Sequence, residues 1–198
     1  MEQIISREEF NKLMKIKGET IGIAIREHKK FILNQEGREG LKKVEDIISD
    51  IGYPEYRNIK PRKFYPIGLY TLTLIVAKRV FNWDDEKFEE MGRFNAKMSL
   101  ILRILMRFLV SLDVAAGKVP IMWRRYYTVG NLRTMEYDKE KRYVILRLED
   151  FTLHPFHCKL QAGYFSTIVQ IIVKDIVTCE ETKCVHKGDE YHEFLLKW

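Results

Sequence analysis

The spacing of apolar and polar residues changes once along the chain, near Gly130. Before that point, apolar residues mostly recur every three or four positions, which is typical of helices that bury one face. After it, residues 132–151 alternate between apolar and polar side chains on both sides of the turn sequence DKEK. Such alternation around a turn predicts a β-hairpin. The pattern therefore predicts helices first and paired strands afterwards.

The N-terminal part is predicted to contain several helices and one extended segment. Ser6 and Glu9 form a capping-box pattern at the first helix. Residues 20–33 are rich in β-branched side chains, which favour a strand or an extended arm. Residues 53–66 carry three prolines and are predicted to form a loop. The predicted helices span residues 6–17, 37–52, 66–81, 84–96, 98–113 and 118–127.

The C-terminal part continues with a helix and a second hairpin. The helix is predicted over residues 155–174 and begins at Pro155, while the hairpin that follows turns at the sequence HKGD. The order hairpin, helix, hairpin predicts an antiparallel sheet of about four strands. With the N-terminal helical layer packed on that sheet, the fold class is α+β. We expect residues 1–55 to be an N-terminal extension, with dimerisation as a candidate role, and residues 56–198 to form a ligand-binding domain.

Composition narrows the class of protein. The chain has 198 residues, of which 46% are hydrophobic, so it can bury a sizeable core. The net charge of +6 is spread along the sequence without a basic run, which argues against direct nucleic-acid binding. The longest apolar run, at 67–77, is too short to cross a membrane. Without a secretory leader pattern at the N-terminus, we expect a cytoplasmic protein with reduced cysteines.

One stretch near the C-terminus concentrates metal-binding side chains. The sequence CEETKCVHKGDEYHEF, residues 179–194, contains Glu181, Cys184 and His192, and Cys158 lies upstream near the start of a predicted helix. Zinc takes four ligands from thiolates, imidazoles and carboxylates, and a hairpin can supply ligands from both of its strands. A hairpin that carries thiols without any metal remains an alternative at this point, because the spacing is not that of a repeated C-x2-C finger.

The same residues carry a resemblance to a known family. Domains of the 4-vinyl reductase family end in a hairpin of the form E-x2-C, a turn with Gly, and then C-x-F. Residues 60–198 resemble this family, with Glu181, Cys184, Gly188 and Phe194 in the pattern. The wider fold group includes haem-nitric-oxide-binding domains and one class of Golgi transport-complex (TRAPP) subunits.

The resemblance implies a zinc site and its ligands. In aromatic-sensing members of the family, an upstream Cys, the Glu and both hairpin Cys hold zinc, and Cys158 lies at the matching distance upstream. This chain departs from the pattern because His192 stands where the family has the last Cys, but histidine is also a competent zinc ligand. The implied metal set is Cys158, Glu181, Cys184 and His192. Four protein ligands leave no open position, so the zinc would be structural.

Other chemistry finds less support in the sequence. The relatives that bind haem need a Tyr-x-Ser-x-Arg motif and a helical histidine. The motif is missing, and none of the five histidines falls inside a predicted helix interior, so no haem is expected. Nucleophile motifs and glycine-rich phosphate loops are also missing. The sequence therefore does not support an enzyme or a nucleotide cofactor.

The resemblance and the aromatic content together predict a small-molecule-binding sensory domain. An apolar or aromatic ligand would lie between helices and sheet, and the signal would pass to an unidentified protein partner of a homodimer. The alternative is a dimeric scaffold module without a ligand, with helices 66–81 and 98–113 as its interface. Aromatic side chains at helical spacing more often simply pack in the core, so plain core is the other reading of these residues. The candidate pocket residues are Phe108, Trp123, Tyr126, Tyr127, Met135, Tyr137, Tyr164 and Phe165.

Overall fold

The chain forms two compact units in a computed structural model that describes residues 4–99 and 111–198. The first unit comprises Met1–Asp84 and Tyr126–Thr128, and the second comprises Asp85–Arg125 and Val129–Trp198. None of the described helices is long and apolar enough to cross a membrane.

The described elements confirm the predicted α+β class. They include an antiparallel four-stranded sheet in the second unit and a two-stranded sheet in the first. Short 3₁₀ turns occur at Pro54–Asn58 and Val185–Lys187. In chain order, the helices and strands are α1 (Arg7–Met14), β1 (Glu19–Ile21), α2 (Gly22–Ile51), β2 (Phe64–Pro66), α3 (Ile67–Phe81), α4 (Asp85–Met98), α5 (Leu112–Arg124), β3 (Asn131–Asp138), β4 (Tyr143–Glu149), α6 (Phe156–Val173), β5 (Thr178–Lys183) and β6 (His192–Lys197).

Most of residues 20–33 are helical, so the prediction of a strand or an extended arm was wrong. Only the start of this stretch is extended, and α2 begins directly after β1. Ile25, His28 and Ile32 recur at helical spacing and are fully buried. Burial of this face outweighs the modest preference of β-branched residues for strands, because tertiary packing routinely overrides intrinsic propensity.

Helix α2 reverses direction at Gly37, where φ is 70° and ψ is −172°. Lys29 and Glu45, one on each side of the turn, form a salt bridge of 2.7 Å. In a straight helix, these residues would lie about 24 Å apart at 1.5 Å per residue. Glycine suits the turn because it adopts a positive φ without steric cost. The second arm ends at Gly52, as predicted for the helix over 37–52.

In the first unit, a short segment pairs with β1 from far along the chain. The backbone N–H of Ile21 donates to the carbonyl of Tyr126 at 2.9 Å, and that of Thr128 donates to the carbonyl of Glu19 at 3.0 Å. β1 also pairs with β2 in antiparallel register. The segment Tyr126–Thr128 therefore extends the small sheet on the side of β1 opposite β2.

Helix α3 confirms the predicted helix over 66–81 but not its role as an exposed interface. Every residue from Ile67 to Ala77 is buried. A helix buried in its own chain cannot also offer that surface to a second copy. The other predicted interface helix, over 98–113, falls largely on residues 100–110, outside the described residues.

The second unit confirms both predicted hairpins and the helix between them. Its strand order is β3-β4-β6-β5, with antiparallel pairing throughout. Helix α4 packs on α6 at two glycines. A Cβ at Gly92 would overlap the carbonyl oxygen of Leu160, and one at Gly163 would overlap that of Glu89. The helices can approach this closely only because both positions lack a side chain.

Helix α5 begins earlier than the predicted helix over 118–127. Ser111 caps it by accepting from the backbone N–H of Val114, and the helix continues through Pro120. Proline has no N–H, so it leaves the carbonyl of Ala116 without its usual helical donor. The hydroxyl of Thr134 on β3 donates to this carbonyl at 3.2 Å. This tertiary hydrogen bond compensates for the donor that Pro120 lacks, so the helix continues where the sequence favoured a helix boundary.

Candidate metal centre

Four side chains from the second unit converge on one point. Cys158 lies in the first turn of α6, Glu181 lies on β5, Cys184 follows that strand, and His192 begins β6. One ligand atom from each residue lies within 4.8 Å of all the others. Three of the four side chains are buried, and Glu181 is partly buried. The residues that the resemblance implied as metal ligands therefore form a candidate metal-binding group.

The separations suit a tetrahedral site. The sulfurs of Cys158 and Cys184 are 3.6 Å apart, and the Cys158 sulfur is 3.9 Å from Nδ1 of His192. Nδ1 of His192 lies 2.9 Å from Oε1 of Glu181. Zinc bonds of about 2.0–2.3 Å place tetrahedral ligand atoms roughly 3.3–3.8 Å apart. Small side-chain shifts would therefore complete the coordination.

The second ring nitrogen of His192 is held by the backbone. Nε2 lies 3.2 Å from the carbonyl oxygen of Phe151, so it must carry the proton of that hydrogen bond. In the neutral ring, Nδ1 then has a free lone pair that points to the cluster. This nitrogen lies 2.9 Å from the Glu181 carboxylate oxygen, and the lone pairs of the two atoms repel each other unless a proton or a metal cation lies between them. The backbone thus prepares His192 to bind a metal through Nδ1.

A tight turn fixes the position of Cys184. Its backbone N–H donates to Oδ2 of Asp189 at 2.8 Å, and its carbonyl accepts from the N–H of Lys187 at 2.9 Å. Gly188 has a φ of 100°, which a residue with a side chain rarely adopts. The predicted glycine turn therefore holds the second cysteine close to the strand that carries Glu181.

The electrostatics of the metal-free cluster disfavour a thiolate. Burial raises the pKa of the Cys158 thiol far above its usual range, and the charges of Glu181 and Cys184 raise it further. Burial also raises the pKa of the Glu181 carboxyl, but hydrogen bonds with His192 and Cys158 outweigh this effect and lower it overall. A bound divalent cation reverses this balance, because it stabilises coordinated thiolates directly.

The third cysteine lies outside the cluster. Cys179 is on β5, and burial raises the pKa of its thiol to about 12. The thiol is half-buried, and with this raised pKa it stays protonated at neutral pH. His186 is exposed in the predicted turn, and its ring centroid is 5.6 Å from that of His192.

Two predicted pocket residues lie in the first unit. Tyr126 and Tyr127 are buried there, and the hydroxyl of Tyr127 donates to that of Tyr70 at 3.1 Å. Phe108 lies outside the described residues.

The remaining predicted pocket residues lie in the second unit in different surroundings. Trp123 is buried, and its ring N–H donates to the carbonyl of Val129 at 2.9 Å. Phe165 is buried with its ring edge-on to Phe194, and Tyr164 lies beside it. Met135 and Tyr137 are 47% and 38% exposed on β3. A pocket formed by these residues remains a prediction.

The sequence did not reveal a pair of buried ionisable residues in the first unit. Glu27 and His28 are neighbours in α2 and are 4% and 0% exposed. Oε1 of Glu27 and both ring nitrogens of His28 have no hydrogen-bond partner among the described residues. Burial raises the pKa of Glu27 to about 8 and lowers that of His28 to about 3. Both side chains are therefore neutral at physiological pH.

Comparison with solved structures identifies the fold. An H-NOX protein from S. oneidensis, in the Fe(II)NO ligation state, matches with 12% identity over 89% of this chain and 98% of that chain, at a TM-score of 0.67. Unliganded Fe(II) H-NOX from K. algicida matches with 10% identity over 89% of this chain and 95% of that chain, at a TM-score of 0.63. The chain therefore has an H-NOX-like fold, which agrees with the predicted fold group.

The other comparisons do not identify a family for this chain. The phenol-responsive sensory domain of the transcription activator PoxR matches with 18% identity over 57% of this chain and 63% of that chain, at a TM-score of 0.46. The sequence matches no known protein family and none of the curated proteins. The resemblance to the 4-vinyl reductase family therefore remains a prediction.

The solved structures with this fold are described in Fe(II) states, so a buried histidine such as His28 must be examined as a possible haem ligand. His28 lies inside α2, so the statement that all the histidines lie outside helix interiors was wrong, because it relied on a strand at residues 20–33. Its ring stacks on Tyr70 at 4.3 Å between centroids, and neither ring nitrogen has accessible surface. A space that could admit an iron porphyrin beside either nitrogen would leave such surface. His28 therefore does not fit a haem ligand, and the lack of haem elsewhere remains a prediction.

Proposed function

We propose that this protein is a small-molecule-binding sensory domain of the 4-vinyl reductase type, with a structural zinc held by Cys158, Glu181, Cys184 and His192. The observation that carries the proposal is the convergence of one ligand atom from each of these four side chains within 4.8 Å. The H-NOX-like fold over most of the chain supports the assignment to this fold group.

The metal would stabilise the fold and take no part in chemistry. Four protein ligands fill a tetrahedral site and leave no position for water or substrate. The ligands join the first turn of α6 to both strands of the last hairpin, so the zinc would fasten the hairpin to the helix.

The ligand is proposed to be apolar or aromatic and to be held by aromatic side chains, as the sequence predicted. Binding would change the balance between conformations, and an unidentified protein partner would detect that change. We also propose that the protein works as a homodimer, with an interface other than α3.

Native mass spectrometry of the purified protein tests the proposal, followed by the same measurement after denaturation. We expect a dimer with one zinc per chain and an additional organic mass that is released on denaturation. Cys184→Ser should lose the zinc, whereas Cys179→Ser is a matched control that should keep it. Metal-free wild-type protein, after purification without chelators and reconstitution with zinc, would contradict the metal assignment.

The sensory part has a separate test. Phenol and indole, added to the zinc-loaded protein, should raise its melting temperature if an aromatic ligand site exists. Glycerol at the same concentration is the control for solvent effects. Unchanged melting with every aromatic probe, together with no retained organic mass, would leave a zinc-stabilised scaffold as the better description.

A further inference from the structure

An open groove crosses the first unit between the two arms of α2 and residues 57–61. Its volume is about 450 Å³, and its apolar lining includes Leu33, Leu41 and Pro61. A second depression, also about 450 Å³, adjoins it, because the two share Asn58 and Lys60 as lining residues. Together they form one elongated trough on the surface of this unit.

The trough is strongly basic. Its lining contains six basic side chains but only two acidic ones. Lys29 pairs with Glu45, and Arg57 pairs with Asp46. The basic side chains that remain are exposed and form no ion pair with the described residues; we call them the groove cations, namely Arg26, Lys30, Lys60 and Lys63.

Bonds within the chain hold the walls of the trough together. The Lys29 ammonium donates to the carbonyls of Tyr56 and Arg57, at 3.0 and 3.2 Å, and pairs with Glu45 at 2.7 Å. These bonds attach the 3₁₀ turn at Pro54–Asn58 to both arms of α2. A preformed site costs less conformational entropy on binding than one that must be ordered first.

We propose that this trough binds an acidic segment of a partner protein, with apolar side chains of that segment on the Leu33–Leu41–Pro61 surface. Carboxylates on both sides of an apolar residue would match the groove cations around the apolar lining. Leu33 is 41% exposed, so its apolar surface is available to such a side chain. The proposal does not depend on zinc or on a small-molecule ligand.

Two other occupants fit less well. Small-molecule sites usually enclose most of their ligand, whereas this trough is open along its length. Single-stranded nucleic acids need aromatic side chains on which bases can stack. The aromatic lining residue is Tyr65, which is only 3% exposed and therefore offers no such platform. A peptide backbone with carboxylate side chains matches both the shape and the charge.

Fluorescence anisotropy with a defined probe tests the proposal. The probe is the fluorescein-labelled peptide Asp-Glu-Leu-Asp-Glu-Leu-Asp-Glu, and a second peptide has serine in place of both leucines. A groove variant carries charge reversals at three groove cations. A matched control carries the same three charge changes at exposed lysines outside the trough. The groove variant is Arg26→Glu, Lys30→Glu and Lys60→Glu, and the control is Lys17→Glu, Lys43→Glu and Lys118→Glu.

We expect the leucine-containing peptide to bind wild-type protein with a Kd below about 1 mM. The groove variant should bind at least tenfold more weakly, the control should stay within twofold of wild type, and binding should weaken from 50 to 500 mM salt. Equal losses in both variants, equal binding of the serine peptide, or no binding would overturn the proposal. Stronger binding of a single-stranded oligonucleotide would overturn it in favour of nucleic acid. Circular dichroism melting of both variants checks that each is folded.

Discussion

The Glu27–His28 pair in the first unit and the candidate metal-binding group in the second unit bury the same kinds of side chain in opposite ways. In the candidate metal-binding group, the ligand atoms of a carboxylate, an imidazole and two thiols face one another within 4.8 Å. In the Glu27–His28 pair, a carboxylate oxygen and both imidazole nitrogens have no partner among the described residues. Burial alone therefore does not define a site.

The difference shows how each unit deals with the cost of buried polar groups. Uncompensated burial drives an ionisable group to its neutral form, which is the state of both Glu27 and His28. Convergence of several ligands allows a different solution, in which one bound cation compensates all of them.

Removal of zinc should destabilise the second unit most strongly. Structural zinc contributes its binding free energy to folding, so chelation or Cys158→Ser should cost roughly 5 kcal/mol or more. Calorimetry of zinc-loaded protein before and after treatment with a chelator measures this loss. Cys179→Ser is the control and should melt close to wild type. Unchanged melting of the zinc-loaded protein after complete chelation would contradict a structural metal.

Glu27 should make the protein less stable as pH rises. Its folded pKa of about 8 exceeds the unfolded value of 4.5, so its contribution is fully present below about pH 4.5 and is lost between there and pH 8. Glu27→Gln should remove this decline and should gain roughly 4 kcal/mol over wild type at pH 8. Urea unfolding at several pH values measures the effect, with exposed Glu39→Gln as the control. Parallel pH profiles for wild type and Glu27→Gln would sink this prediction.

His28 should have the opposite dependence. Its folded pKa of about 3 lies below the unfolded value of 6.5, so its contribution is present above pH 6.5 and is lost as pH falls towards 3. His28→Phe keeps a ring that can stack on Tyr70 and removes the unpaired nitrogens. The free energy of unfolding of this variant should therefore fall less steeply between pH 6.5 and 3, and it should differ from wild type at pH 7 by less than about 2 kcal/mol. Acid titration of both proteins, followed by circular dichroism, measures this difference, and an equal loss of stability in both would contradict the prediction.

His192→Cys should have the smallest effect. It restores the last cysteine of the 4-vinyl reductase pattern, so the variant should still bind one zinc per chain. We expect a change in stability within about 1–2 kcal/mol, because a thiolate replaces an imidazole in a four-ligand site. Zinc content by elemental analysis and calorimetry measure both. Loss of zinc would mean that the hydrogen bond between His192 and the Phe151 carbonyl sets the site geometry. His28 has no such hydrogen bond at either ring nitrogen.

Sequence reasoning could propose the four residues of the candidate metal-binding group because most of their pattern is local. Glu181, Cys184 and His192 belong to one hairpin, whose turn is marked by Gly188. Cys158 lies near the start of the preceding predicted helix, where the resemblance also implies a ligand. The contact between Nε2 of His192 and the carbonyl of Phe151 could not be foreseen, since it links residues 41 positions apart. The fold class was also predictable, because the change from helical spacing to alternation is visible in the sequence.

The buried pair was missed for a physical reason. β-branched residues at 20–33 favour a strand locally, and only burial against the rest of the first unit makes them helical. In a strand or extended arm, successive side chains point to opposite faces, so Glu27 and His28 were not expected to be buried together. In the helix, His28 lies on the same face as Ile25 and Ile32, and this helical spacing was the one available indication.

The segment Tyr126–Thr128 has a consequence for dissection of the protein. Because it pairs with β1 while the residues on either side belong to the second unit, the chain leaves and re-enters the first unit. A fragment that ends at Asp84 would keep β2 but lack the segment on the other side of β1, including the tyrosine that binds Tyr70. No single cleavage can therefore yield both units intact, and each unit would have to be assembled from two separate segments, joined by a linker or combined in trans.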